Sequence, residues 1–367
     1  MSITTKNLLN IVQVPTSNLR RTIVQLYDKL TFATGQTKYS MFSGAVTQFV
    51  RNLQLPVSGQ EIYAVYRLKC FVNSQFLTTA DLIELMQKSY LEIIVSNKQQ
   101  LKIPLSQCLK FFYSTTVGAG AGISSWDARY YSRHKQLQFP IVLGQSSNVQ
   151  INIVTTTTAA TDLNGLTMEL ELDAIQSTVL DPTFDFTLQA GNVFQDIDYT
   201  LWNTISIGTA NQNTFACFAT NLGDNLQSQN LPLSADQRFE IQNLEILFVS
   251  NNVASQAETL SKIYNNRSYN ELLITVDNTI MYKSNLSDLI SIVTEYTNVA
   301  FLDNAGVPVS TNLSNFEVLT QSKTLEIPIV LPATGNINVS LTQPNSSLNN
   351  GEVFTIMMNG VLKRLVS

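Results

Sequence analysis

Phe139-Pro140-Ile141-Val142-Leu143 is echoed by Ile327-Pro328-Ile329-Val330-Leu331, 188 positions later. In the same register Asn148-Val149-Gln150-Ile151 is echoed by Asn336-Ile337-Asn338-Val339. Upstream, Leu55-Pro56-Val57-Ser58 matches Leu231-Pro232-Leu233-Ser234 at an offset of 176, and each is followed by a long strand-forming run, Glu61 to Phe71 and Phe239 to Val249. The runs end alike, in Phe71-Val72-Asn73-Ser74 and Phe248-Val249-Ser250-Asn251, at an offset of 177. A segment of helical period comes next in each half, Thr79 to Lys88 and Ser255 to Tyr264. These lead into Ser89-Tyr90-Leu91-Glu92-Ile93-Ile94 and Ser268-Tyr269-Asn270-Glu271-Leu272-Leu273, 179 apart. Four landmarks in one order, with offsets that drift by loop-sized steps, read as an internal duplication.

The length agrees, since 367 residues exceed what one hydrophobic core usually serves. The predicted domains are residues 1–180 and 181–367. Within each half, short runs alternate apolar and polar residues, as in Val149-Gln150-Ile151-Asn152-Ile153 and Thr167-Met168-Glu169-Leu170-Glu171-Leu172, between Gly, Pro and Asn clusters. That pattern predicts sandwiches or barrels. About 180 residues per unit suits an eight-stranded jelly roll better than an immunoglobulin-like domain of about 100. The expected fold class is therefore all-β, two tandem eight-stranded jelly-roll barrels with a few short helices.

Composition narrows the function. Apolar residues reach 44% but charged residues only 13%, and Asn, Gln, Ser and Thr fill the gap. Such a surface loses less on desolvation than a Lys/Glu surface, which suits a subunit that meets neighbours on many sides. Cys70, Cys108 and Cys217 have no paired spacing and read as buried thiols. The start of the chain has no basic-then-apolar leader, and no apolar run approaches a membrane span, so a cytoplasmic site of synthesis is expected. The Asn-x-Ser/Thr matches, such as Asn266-Arg267-Ser268, then carry no weight.

Tandem jelly rolls with an uncharged polar surface and the paired motifs Pro140-Ile141-Val142-Leu143 and Pro328-Ile329-Val330-Leu331 resemble the double jelly-roll major capsid proteins of tailless icosahedral bacteriophages, of the corticovirus, tectivirus and finnlakevirus type. The resemblance implies a homotrimer of pseudo-hexagonal outline in an icosahedral shell and a location in the virion. It also implies loops outside, an amino-terminal segment facing inward, and contacts with other capsid or vertex proteins.

Charge is divided unevenly. Residues 1–180 hold 15 Lys+Arg and 10 Asp+Glu, a net of +5, and residues 181–367 hold 7 and 17, a net of −10. In a ring of three two-barrel chains, first barrels abut second barrels, and opposite signs favour that pairing. The first sixty residues are basic, and Asn18 to Phe32 reads as an amphipathic helix with Leu19, Ile23, Leu26, Tyr27 and Leu30 on one side. Arg20, Arg21, Lys29 and Arg51 are the candidate inner-face residues, toward an internal membrane or a packaged genome. The same segment could instead plug a barrel base or bridge capsomers.

Catalytic constellations are absent. One histidine, His134, cannot supply the two or three imidazoles of a cupin-type metal site, and no Gly-x-Ser-x-Gly elbow is present. His134 lies in Arg129-Tyr130-Tyr131-Ser132-Arg133-His134-Lys135, a basic aromatic cluster able to stack on nucleic acid but better suited to interface packing. Gly118-Ala119-Gly120-Ala121-Gly122 lacks the Lys-Ser/Thr of a phosphate loop and reads as a flexible loop at a junction. Asp181, Asp185, Asp196 and Asp198 fit no calcium loop. No metal, cofactor, small-molecule substrate or enzymatic activity is expected. The alternatives are a double jelly-roll glycan amidase or glycosidase using paired carboxylates, and a viral spike or vertex protein.

Overall fold

The computed structural model describes residues 21–47, 49–57, 61–72, 84–120, 123–144, 148–156, 163–178, 194–206, 214–218, 231, 233–250, 271–297, 301–302, 308–309, 314–319, 322–333, 336–342 and 353–365. The first half contains β1 (Thr22–Thr31), β2 (Lys38–Met41), β3 (Glu61–Val72), β4 (Ser89–Val95), β5 (Lys98–Pro104), β6 (Leu109–Gly120), β7 (Ile123–Ser132), β8 (Lys135–Leu143), β9 (Val149–Thr155) and β10 (Thr167–Thr178). The second contains β11 (Phe194–Ser206), β12 (Thr214–Cys217), β13 (Gln237–Ser250), β14 (Glu271–Val276), β15 (Thr279–Asn285), β16 (Ile290–Thr297), β17 (Phe301–Leu302), β18 (Pro308–Val309), β19 (Ser314–Leu319), β20 (Lys323–Leu331), β21 (Ile337–Thr342) and β22 (Val353–Leu365).

Strand order identifies the fold. One sheet of the first half runs β1-β10-β3-β6-β7 with β8 also on β3, and the other runs β2-β9-β4-β5. The second half repeats both, as β11-β22-β13-β16-β19 with β20 on β13, and β12-β21-β14-β15. Setting aside β7, β8 and their counterparts, eight core strands per half form sheets ordered 1-8-3-6 and 2-7-4-5, which is the jelly roll. Alternating side chains from the two sheets meet in a shared interior, with Leu26, Leu68, Leu170, Leu91 and Ile153 in the first barrel and Leu201, Leu244, Ile356, Leu272 and Leu341 in the second.

The repeat extends to irregularities. Tyr66 is bulged out between β3 and β10, and Gln242 between β13 and β22, at an offset of 176. Ile141 pairs Val65, and Ile329 pairs Ile241, which realises the 188 offset of the Pro-Ile-Val-Leu motifs. Phe42 and Phe218 both have positive φ, 59° and 62°, and each donates its backbone N–H to a carboxylate or amide oxygen on the first core strand, Asp28 and Asn203. The β4–β5 and β14–β15 hairpins both turn through two left-handed residues, Ser96-Asn97 and Asp277-Asn278, the backbone that matches strand twist in a two-residue hairpin.

Registers correct two of the sequence offsets. Val72 on β3 corresponds to Phe248 on β13, so the strand-end landmark lies at 176 and not 177. Leu91 pairs Ile153 and Leu272 pairs Leu341, so the β4 landmark lies at 181 and not 179. A one-residue slip would exchange the two faces of a strand, whereas a two-residue slip preserves them, so side-chain type alone does not expose the second error.

The expected helix over Asn18 to Phe32 is a strand where it is described. Thr22–Thr31 pairs with β10 along its whole length, placing Leu26, Asp28 and Leu30 inward and Ile23, Gln25 and Lys29 outward. Its residues satisfy period 2 as well as period 3.6, and the backbone bonds to β10 decide between them. Helix is found only over residues 84–87 among the described residues, inside the Thr79 to Lys88 segment, with two single 3-10 turns at Leu105–Gln107 and Leu286–Asp288. The Ser255 to Tyr264 segment lies outside the described residues. Gly118 and Gly120 belong to β6, and Gly120 pairs Ile123 across the β6–β7 hairpin, so the expected loop is largely strand. No helix among the described residues is long and apolar enough to cross a membrane.

Candidate assembly surfaces

The two barrels meet along a seam in which the outer face of the β11–β22–β13 sheet is covered by β5, the 84–87 turn, the 105–107 turn and the start of β8. Trp202 is 0% exposed and joins Leu247 and Met357 in the hydrophobic cluster of the first barrel. Its indole donates to the Lys102 carbonyl at 3.3 Å, and its ring lies 6.0 Å from that of Tyr90. Lys102 in turn sits 4.7 Å over the Tyr90 ring, and burial lowers its ammonium below the ordinary value.

Around this anchor the seam is a polar network. Gln107 donates to Asn359 at 2.7 Å and accepts from Thr200 at 3.1 Å, and Thr200 also bonds Asn359 at 2.7 Å. The Gln87 side-chain amide donates to the Val353 carbonyl, while the Gln87 backbone carbonyl accepts from Thr204. Arg364 donates to the Gln99 carbonyl. Hydrogen bonds made by these buried amides and hydroxyls fix one docking geometry, because each shift strands a partner.

The charge partition is used inside the chain. Lys135 pairs with Asp198 at 2.9 Å, and Arg133 with Glu245 at 2.6 Å, with all four side chains largely buried. Both cations come from the first barrel and both anions from the second. The basic aromatic cluster of the sequence is therefore, at its carboxyl end, a clamp between barrels. A cleft of about 430 Å³ opens beside it, lined by Arg133, His134, Lys135, Glu245 and Asn359 among others. Burial, with Arg67 and Lys69 nearby, holds the His134 imidazole below its ordinary value.

The equivalent outer face of the first barrel is open. Here the positions form a ladder of ions: Lys29 with Glu169, Lys69 with Glu171 and Asp173, and Arg67 with Asp173. Gln25 donates to Glu171. Among the candidate inner-face residues, Lys29 is thus a rung of this ladder, and Arg51 pairs at 2.9 Å with buried Asp28. Arg21 immediately precedes β1, and Arg20 lies outside the described residues.

Cys70, Cys108 and Cys217 are buried free thiols, and burial pushes the Cys217 thiol up to about 12. Cys70 and Cys108 lie 3.5 Å apart, at the start of the parallel β3–β6 pairing. The contact with Cys108, together with burial, holds the Cys70 thiol above its ordinary value, the opposite of what a reactive thiolate needs. Asp196 and Asp198 lie on β11, and Asp181 and Asp185 fall outside the described residues. No cluster of three metal-ligating side chains occurs among the described residues. Sequence inspection missed the Gln107–Thr200–Asn359 network, since no motif marks a neutral polar residue that folding brings to a seam.

No family model matches the chain, and no curated protein matches it in sequence. Among solved structures, VP54 of the virus PBCV-1 is similar, at 12% identity and a TM-score of 0.39 over 97% of both chains. The quasi-atomic PBCV-1 virus capsid gives 10% identity and 0.40 over 97% of both chains. The STIV MCP gives 8% identity and 0.35 over 95% of this chain and 97% of that one. The jelly-roll assignment rests on the strand order and registers of this chain itself.

Proposed function

We propose that this chain is a major capsid protein, a structural subunit that forms pseudo-hexagonal homotrimers in an icosahedral viral shell of the tailless bacteriophage type. The observation that carries the reading is the seam: one barrel's β5 side docks on the next barrel's outer sheet, a heterologous contact with an open counterpart surface at each end. Repeating such a contact head to tail closes a ring of barrels, and three two-barrel chains make six. The low charge and abundant amides suit a subunit covered by neighbours.

The domain division at residues 1–180 and 181–367 belongs to this proposal, as do a location in the virion, synthesis in a host cytoplasm, and lattice contacts with other capsid or vertex proteins. The basic amino-terminal region, with Arg20, Arg21, Lys29 and Arg51, is proposed to face an internal membrane or the genome. Because Lys29 and Arg51 are paired within the barrel, the segment ahead of β1 is the part to test. Deleting residues 1–20 spares β1, and shells that then retain lipid and genome unchanged would remove the inner-face role.

The deciding experiment is the mass of the purified protein in solution by sedimentation. A species of three times the 40.8 kDa chain is expected, and a persistent monomer at high concentration would sink the capsomer.

A further inference from the structure

We propose that a second copy of this chain docks on the β1 edge of the first barrel through β20 and β15 of its own second barrel, in a contact laid out like the internal seam but with apolar side chains where the seam has Asp198, Gln99 and Gln100. The inference rests on the capsomer reading and specifies which residues close the ring and by what chemistry.

The registers make the correspondence residue by residue. Ile175 pairs Ile23 and Val361 pairs Asp198, so Ile23 stands on β1 where Asp198 stands on β11. The 188 offset places Lys323, Glu326 and Ile327 of β20 where Lys135, Gln138 and Phe139 stand on β8. The bulged hairpins place Ile280 and Met281 of β15 where Gln99 and Gln100 stand on β5. In the seam, Asp198 pairs with Lys135 and accepts the Gln138 backbone N–H at 2.8 Å, and the Gln99 carbonyl accepts from Arg364.

Exposure runs opposite to chemistry at these positions. The seam covers the polar members Asp198, Gln99 and Gln100. The counterparts of these three are apolar and open: Ile23 is 67% exposed, Ile280 60% and Met281 44%; Ile327, 82% exposed, stands where half-buried Phe139 does. Four of the eight large exposed apolar side chains among the described residues therefore fall on the two surfaces that the seam's geometry would bring together. Scattered exposed apolar residues need no explanation, but four that fall on the two halves of one predicted contact do. The occupant is another copy of this chain, because its second barrel carries, on β15 and β20, the counterpart of the β5 and β8 surface that docks in the seam. The contact is heterologous, so one chain's Ile23 meets Lys323 and Glu326 of the next chain, beside its Ile327, and never its own.

The sign of a charge at position 23 tests the register. In the docked geometry Lys323 of the neighbour takes the place of Lys135, so Ile23→Asp rebuilds the seam's Lys–Asp pair while Ile23→Lys sets two ammonium groups against each other. Sedimentation of the full chain is expected to show self-association at least about 100-fold weaker for Ile23→Lys. The Ile23→Asp protein is expected to assemble at low salt and dissociate as salt rises. Both variants should melt as the wild-type monomer does, since position 23 is exposed within one chain. Equal behaviour of the two variants, whether both assembled or both dissociated, would overturn this contact. A second measurement uses Ile23→Cys together with Ile327→Cys and a short thiol cross-linker. Linked oligomers are expected from the double variant and not from either single one, and their absence would count against the contact. Wild-type protein that is monomeric would instead overturn the capsomer reading, whereas a trimer indifferent to position 23 would overturn this contact alone.

Discussion

The outer faces of the β11–β22–β13 and β1–β10–β3 sheets share backbone, register and bulge, yet differ at almost every side chain. Where the second barrel presents Thr200, Trp202, Thr204, Thr355, Met357 and Asn359, the first presents Gln25, Tyr27, Lys29, Glu169, Glu171 and Asp173. Glu245 on β13 is replaced by Lys69 on β3. One face is covered by the chain's own other barrel, and the other is open to solvent within a single chain. Ions are costly to bury without compensation, so the covered face is built mainly from short hydroxyls, amides and apolar groups, and its anions Asp198 and Glu245 each meet a cation of the other barrel. The open face keeps a balanced ladder of cations and anions that water solvates. Strand geometry is common to both faces; the difference follows which face is covered as one chain folds and which is left for a second copy.

Inward positions invert the pattern. Asp28 and Asn203 are counterparts, both buried, and each accepts the backbone N–H of a left-handed phenylalanine. Only Asp28 carries a charge, and only it has an arginine, Arg51, to answer it. Asp28→Leu leaves the largely buried guanidinium uncompensated and should cost about 3–5 kcal/mol in the first barrel, read by denaturant unfolding. Asn203→Leu removes a neutral acceptor and should cost about 1–3 kcal/mol. Equal losses would mean that Arg51 contributes nothing.

Truncating the anchor tests the covered face against the open one. Trp202→Ala is expected to cost about 3–5 kcal/mol through the cavity left between barrels. Tyr27→Ala, at the equivalent open position, should cost less than half as much in the monomer. A chevron or calorimetric comparison of the two would erase the distinction if they matched.

Gly360 marks a smaller asymmetry. At the β13 bulge, a Cβ on Gly360 would fall 1.8 Å from the Glu240 carbonyl oxygen, whereas its counterpart beside the β3 bulge is Ala174. Gly360→Ala should therefore destabilise by about 1–3 kcal/mol, while Ala174→Gly should cost about 1 kcal/mol or less from backbone entropy. A lower melting temperature for Ala174→Gly than for Gly360→Ala would mean that the close approach of the Glu240 carbonyl does not set the need for glycine.

The smallest effect is expected on the ladder. Lys29→Ala breaks a half-exposed pair with Glu169 and should change monomer stability by about 0.2–1 kcal/mol, with less change at high salt. A loss several times larger would mean that the open face is not solvated as described.

Duplication, the all-β class and the position of the β8 and β20 motifs were legible in the sequence, because a proline within a fixed apolar run and alternating side chains are local signals. The 188 offset is correct to the residue. The β4 landmark slipped by two, because Ser-Tyr recurs in the second half two positions away from the structural counterpart of Ser89-Tyr90, and strand periodicity cannot see a shift of two. The first strand was read as a helix because Leu26 and Leu30 are four apart, a spacing that serves one face of either element. The seam was not legible beyond its charge bias: Arg133 and Lys135 stand out as basic, but nothing local marks Gln107, Thr200 and Asn359 as partners.

By itself the sequence determined that the chain is two copies of one β-rich unit and that basic residues favour the first copy and acidic residues the second, since periodicity, repeats and composition are properties of the chain. Only the tertiary structure decided which of two identical sheet faces is covered, which ions meet across the seam, and that Thr22–Thr31 is a strand. Those choices depend on hydrogen-bond partners and desolvated neighbours from 60 to more than 250 residues away, and such partners exist only once the chain has folded.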